Sequence, residues 1–190
     1  MTTLVEMVLA LDATLRSARI PHAFGGALAL AFHIAEPRGT RDIDLNCFVP
    51  ATDARTVFEH LPPLIVWGAE DVATVERDGQ VRVFWGETPV DLFFSTHPFH
   101  ERAAANAEDV PFDGTTIPIL GATDLAVFKA FFGRTRDWAD IEAMVDMGTV
   151  DLHEVIGWIV DLIGPTALRV GRLRALLRRA PPTNEPRFGS

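Results

Sequence analysis

Cysteine is nearly absent: the chain of 190 residues has one, Cys47. A single thiol excludes an internal disulfide framework and any cysteine-rich metal site. Lysine is as scarce, since sixteen of the seventeen basic residues are arginine and Lys129 stands alone. A bias that strong is most simply codon composition. A lysine that survives it is either chance or a position where a guanidinium will not serve. Long apolar runs are missing too, and stretches such as residues 25–32 are far too short to span a bilayer. The opening Met1-Thr2-Thr3-Leu4-Val5-Glu6 has an early acid and no basic n-region, so the expectation is no secretory leader, no membrane and a cytoplasmic location. The six histidines show no His-Glu-x-x-His spacing, and His97 and His100 read as a surface pair. Ser95 lies in no Gly-x-Ser-x-Gly elbow, which removes the case for a serine hydrolase.

What is present describes a folded protein. Hydrophobic residues at 48% and charged residues at 23% fall in the range of globular domains and argue against disorder. The length fits one domain or one domain with a modest appendage. The net charge of −9 is uneven. The first 165 residues hold 11 basic and 25 acidic residues, giving −14. The last 25 hold six arginines and one glutamate, giving +5. Such a chain is no typical duplex-DNA binder, although its basic end suits a nucleic acid that docks locally.

The patterning predicts two parts. Leu4, Val8, Leu11 and Leu15 recur at helical spacing up to Pro21. His22-Ala23-Phe24 reads as extended and leads into Gly25-Gly26 and a buried helix over residues 27–34. Residues 36–40 form a loop. Residues 41–49 alternate as a strand, with Asp42, Asp44 and Asn46 on one face and Ile43, Leu45 and Cys47 on the other. A helix is expected over 51–60, strands over 64–67, 72–76, 81–85 and 90–94, and a hairpin turn at Asp78-Gly79. A helix over 98–105, a turn at Asp113-Gly114 and a short strand over 116–120 follow. Beyond Gly121 come helical patterns over 123–132, 135–147, 152–163 and 165–179, with Thr123 and Asp151 as N-caps. The division expected is an α/β unit over 1–120, a helical part over 121–180 and a disordered tail over 181–190.

The chemistry gathers around Asp42-Ile43-Asp44. On a strand, residues i and i+2 point the same way, so two carboxylates stand side by side. A divalent cation relieves their repulsion, and Mg²⁺ characteristically takes one or two carboxylates plus substrate phosphates. A surface strand edge bearing two acids is the plainer alternative. Three neighbours favour the cation. Gly25-Gly26 opens a helix whose N-terminal N–H groups suit a phosphate. Arg38-Gly39-Thr40-Arg41 adds a hydroxyl and two guanidiniums. Asp91 lies inside the apolar Pro89-Val90-Asp91-Leu92-Phe93-Phe94, where an unpaired buried acid is costly, and a metal shared with Asp42 and Asp44 accounts for it. An edge-strand aspartate is the alternative there.

The run from Gly25-Gly26 to Arg38-Gly39-Thr40-Arg41-Asp42-Ile43-Asp44-Leu45 resembles the signature of the nucleotidyltransferase superfold. Downstream, Asp124-Leu125-Ala126-Val127-Phe128-Lys129 and Arg134-Thr135-Arg136-Asp137-Trp138-Ala139-Asp140-Ile141 resemble the second half of the AbiEii-type toxin branch, which includes the MenT toxins. The similarity runs over residues 22–146. It implies an α+β fold: a nucleotidyltransferase-type mixed sheet with flanking helices, then a helical bundle. By the resemblance, Asp42 and Asp44 bind catalytic Mg²⁺ or Mn²⁺, with Asp91 as third ligand or general base. Gly25, Gly26, Thr40 and Arg41 meet the nucleotide. Lys129 reaches its phosphates, and Asp140 completes the site by orienting Lys129. One departure is Gly26, where many relatives carry serine and gain a hydroxyl contact to phosphate.

The function so implied is Mg-dependent transfer of nucleotides from an NTP to tRNA, by a toxin that blocks translation and is paired with an antitoxin protein. The basic helix, with Arg169, Arg172, Arg178 and Arg179, is the candidate RNA face or else simply a solvated one. The alternative is transfer to a small molecule or a protein, as by an antibiotic adenylyltransferase or an AMPylating enzyme. A non-catalytic module on the same fold is a third reading, against which Asp42, Asp44 and Lys129 speak.

Overall fold

The computed structural model describes residues 2–36 and 39–179. Arg38 and the tail expected over 181–190 lie outside the described residues. The described chain forms two compact units, 2–32 with 39–121 and 33–36 with 122–179.

The first unit is built on a mixed seven-stranded sheet. Its strands are β1 (His22–Phe24), β2 (Ile43–Pro50), β3 (Ile65–Val66), β4 (Gln80–Trp85), β5 (Thr88–Ser95), β6 (Glu108–Phe112) and β7 (Thr115–Ile119), in the order β3-β4-β5-β2-β1-β7-β6. The central strand β2 pairs parallel with β5 and antiparallel with β1. Alternation on β2 and β5 buries Ile43, Leu45, Leu92 and Phe94, and Phe24, Ile117 and Ile119 continue the core. Helix α1 (Leu4–Ser17) opens with a reciprocal cap, in which Thr3 N–H donates to Glu6 Oε2 at 2.7 Å and Glu6 N–H donates to Thr3 Oγ1 at 3.2 Å. Its Val8, Leu11 and Leu15 are buried as their spacing predicts, with Met7 beside them. Helix α2 (Gly26–His33) starts at the second glycine.

Two sequence expectations change here. Residues 72–76 are not a strand but part of helix α4 (Ala69–Asp78), which follows a 3-10 turn at Ala51–Asp53 and helix α3 (Ala54–Phe58). Val72 and Val75 lie three apart and both are buried, which is a helix face. Asp78-Gly79 is accordingly no hairpin turn. Gly79, at φ 71°, ends α4 in the left-handed conformation, and its N–H donates to Val75 O at 2.7 Å. The true hairpin turn between β4 and β5 is Gly86-Glu87, fixed by the pairing of Trp85 with Thr88. After helix α5 (Phe99–Ala105), strand β6 is an addition to the expected set, and it pairs with β7 around Asp113-Gly114.

The second unit is helical: α6 (Ala122–Phe132), α7 (Thr135–Asp146), α8 (Leu152–Ile163) and α9 (Leu168–Arg179). Helix α6 packs on α7 and α8, and α8 on α9. Asp151 caps α8, its Oδ1 accepting from the N–H groups of His153 and Glu154 at 2.9 and 3.1 Å. Thr123 is no N-cap. It lies one residue inside α6, and its Oγ1 accepts from Asp151 N–H at 3.0 Å, tying the start of α6 to the start of α8. Among the described residues no helix is long and apolar enough to cross a membrane.

Candidate active site

Strand β1 runs out at Phe24, and the turn that follows is pressed onto β2. Gly25 N–H donates to the Asp44 carbonyl at 2.8 Å. Gly26 has φ +54°, and a Cβ there would lie 1.7 Å from Asp44 Oδ2. At Gly25 a Cβ would come 2.8 Å from Asn46 Nδ2. The turn therefore lies against the Asp44 and Asn46 side chains, and at Gly26 the approach is one that only glycine allows. The first turn of α2 begins here, and first-turn N–H groups lack intrahelical acceptors.

Asp44 lies on β2, whereas Asp42 falls in a bend just before the strand begins at Ile43, short of the strand expected over 41–49. Both are half-buried. Thr40 Oγ1 donates to the Asp42 carboxylate, and Asp42 N–H returns to Thr40 Oγ1 at 3.4 Å. The hydroxyl expected to meet phosphate is thus already engaged with one of the acids. Arg41 is exposed. Asn46, on the same face as Asp44, is 3% exposed, and its Oδ1 is buried without a hydrogen-bond partner. Its Nδ2 donates to Ala23 O at 3.4 Å.

Strand register extends the acidic face sideways. Asp44 is the partner of Asp91 on β5, and Asp91 is the partner of Arg82 on β4. The expectation of an unpaired Asp91 fails: Arg82 Nε and Nη2 donate to Asp91 Oδ1 and Oδ2, both at 2.7 Å. Burial of the acid is balanced by a two-pronged guanidinium pair. Hydrogen bonds to Asp91, then the charges of Asp91, Asp42 and Asp44, raise the Arg82 pKa further. Sequence reasoning missed Arg82. The signal was there, because a two-residue turn at 86–87 sets residue 82 opposite 91.

The second unit carries its own polar cluster. Lys129 is 5% exposed and its Nζ donates to Asp140 Oδ2 at 2.6 Å, with Asp137 Oδ1 4.0 Å away. Asp137, also buried, accepts from Arg134 N–H at 3.0 Å and Arg134 Nε at 2.8 Å. Asp137 had no role in the sequence reading beyond its place in a motif. On α9, Arg169 donates to Phe132 O at 3.2 Å. Arg172 lies over the Trp138 ring at 4.3 Å and 3.8 Å from Glu142. Of the four arginines expected to meet RNA, those two are used by the fold, while Arg178 and Arg179 are exposed. Cys47 is buried, and burial pushes its thiol up to about 12, so it offers no thiolate.

Three solved structures share this architecture. The solution structure of the antibiotic-resistance factor ANT(2'')-Ia matches at TM-score 0.54 and 16% identity, covering 94% of this chain and 92% of that one. ANT(2'')-Ia in complex with adenylyl-2''-tobramycin matches at 0.53 and 15%, covering 94% and 98%. An antigenic nucleotidyltransferase-like protein from Paracoccidioides brasiliensis matches at 0.50 and 16%, covering 92% of each chain. The fold is the nucleotidyltransferase fold. No family model and no curated protein matches the chain. The AbiEii-type branch therefore rests on the motifs alone.

On this nucleotidyltransferase fold the donors suit a hard cation. Asp42 and Asp44 offer carboxylate oxygens two residues apart, and at Gly26 the turn leaves Asp44 no neighbouring Cβ to meet. Among the described residues no three His, Cys, Asp or Glu side chains converge into a metal-holding group. The set that fits is a pair of carboxylates completed by substrate phosphates, which is how Mg²⁺ is commonly held.

Proposed function

We propose that the protein is a divalent-cation-dependent nucleotidyltransferase that moves a nucleotide from an NTP to tRNA, acting in the cytoplasm as a translation-blocking toxin held in check by an antitoxin protein. The observation that carries the transferase reading is the Gly25-Gly26 turn laid on Asp44, with Asp42 two residues before it at the entry to β2. The nucleotidyltransferase fold supports it. The acceptor rests on the motif resemblance and on the exposed arginines of α9.

In this reading the N-terminal turn of α2 binds phosphate oxygens. Asp42 and Asp44 hold Mg²⁺ or Mn²⁺, which neutralises charge on the triphosphate when bound. Thr40 fixes the orientation of Asp42 through its hydrogen bond. The acceptor hydroxyl attacks the α-phosphorus in line, its oxygen forming the new P–O bond as the bond to pyrophosphate breaks. The hydroxyl proton leaves to solvent or a nearby base. The resemblance assigns Lys129 to the nucleotide phosphates, with Asp140 holding its ammonium.

A second reading is favoured by the likeness to ANT(2'')-Ia: transfer of a nucleotide to a small hydroxylated molecule. One experiment separates the two. The protein is incubated with each labelled NTP, Mg²⁺ and either total tRNA or a panel of aminoglycosides. Label is expected in the tRNA, and Asp42→Ala or Asp44→Ala is expected to lower transfer by about 10³-fold or more, the scale of lost electrostatic stabilisation. Label confined to the small molecules selects the second reading. An Asp42→Ala protein with full transfer removes both.

A further inference from the structure

Arg82 lies outside every motif that pointed to nucleotide chemistry, yet strand register places it in one row with Asp91 and Asp44. Its guanidinium takes both oxygens of Asp91. The Asp91 side chain is 18% exposed and that of Arg82 is 52% exposed, so the ion pair reaches from a partly buried acid out to solvent. A carboxylate held in such a fork has its favoured lone pairs occupied, and it ligates a cation only by giving up both bonds. Three carboxylates around Arg82 are therefore not the same as three ligands.

We propose that Arg82 is a positioning residue that withholds Asp91 from the cation site, leaving a two-carboxylate site that takes its divalent cation together with nucleotide phosphates rather than alone. The proposal rests on the nucleotidyltransferase reading above. Two effects act in one direction. Arg82 occupies the third acid, and its positive charge, felt by Asp42 and Asp44, opposes a bare cation on that face. A cation that arrives with a triphosphate brings its own anionic ligands, so the phosphates stand in for the missing carboxylate. The device selects the nucleotide complex over the free ion.

Manganese binding tests this, followed by the loss of the EPR signal of free Mn²⁺, without and with ATP. Arg82→Gln is expected to bind Mn²⁺ alone about tenfold more tightly than the parent chain, the order set by freeing one carboxylate and removing one nearby positive charge. The gain is expected to vanish in the double variant Arg82→Gln with Asp91→Asn, and to be much smaller when ATP is present. A damaged fold lowers affinity and does not mimic a gain. Unchanged or weaker Mn²⁺ binding in Arg82→Gln overturns the proposal, as does a gain that survives in the double variant. Asp42→Asn keeps the two readings apart. Mn²⁺ binding that ignores Asp42 removes the nucleotidyltransferase reading and this proposal with it. Binding that depends on Asp42 but not on Arg82 removes the role of Arg82 alone.

Discussion

Two adjacent glycines are needed for two different reasons. Gly25 lies against Asn46, whose amide could swing aside at some loss. Gly26 combines a left-handed φ with an Asp44 oxygen where a side chain would begin. Gly26→Ala is therefore expected to shift Asp44 as well as strain the turn. Overpacking and a positive φ together are worth about 1–3 kcal/mol. A thermal melt is expected to fall by several degrees, and binding of a fluorescent ATP analogue in Mg²⁺ to fall by more than the stability loss explains. A variant that binds nucleotide normally would show that the turn does not meet the phosphates.

At the scale of elements, the α6–α7 pair is joined by buried charge. Lys129 on α6 meets Asp140 and approaches Asp137 on α7, and Arg134 closes the cluster from the N-terminal end of α7. Lys129→Met takes the ammonium away from buried Asp140, and breaking a buried ion pair costs about 3–5 kcal/mol. Lys129→Arg keeps the charge but replaces a compact ammonium with a planar fork. It is expected to lose most nucleotide transfer while retaining more stability than Lys129→Met. Denaturant unfolding alongside the transfer assay checks both, and full activity in Lys129→Arg would return the lone lysine to chance.

The same scale shows what was legible. Strands β2 and β5 and the four late helices follow from period alone, because each presents one long buried face. Asp44 and Asn46 share a face for the same reason, while Asp42 falls just before the strand. Helix α4 was misread because its short Val-x-x-Val segment, with Thr74 between, satisfies a β-branched strand pattern as easily as a helix. The helix is decided by ends that a pattern does not weigh: Gly68 N–H donating to Asp71 Oδ2 at 2.8 Å, and Gly79 at positive φ. Strand β6 carries Pro111 and few apolar positions, as an edge strand tolerates, so it gave no alternation to read. The Arg82–Asp91 pair needed the register of the β4–β5 hairpin, for which no turn was expected.

For the whole molecule the question is how an acidic protein would meet the anionic acceptor proposed for it. The net charge is −9, yet α9 carries five arginines. Two of them serve the fold, and the exposed end of the helix carries Arg178 and Arg179. If tRNA docks there, affinity falls steeply with salt. Replacing Arg178 and Arg179 by alanine is expected to lower the slope of log K against log salt by about 1.5–2, from the loss of two phosphate contacts. Filter binding across a salt series measures this. An unchanged slope moves the acceptor away from α9.

The buried lysine has one more consequence. Because Lys129 is the only lysine and is enclosed with Asp140, no side-chain primary amine lies on the outside of this protein. Acetylation, reductive methylation and ubiquitin-like tagging through lysine find no side-chain target on the folded surface. Amine labelling of Lys129 would then report its unveiling, making the scarcest residue of the chain a probe of the opening of α6 from α7.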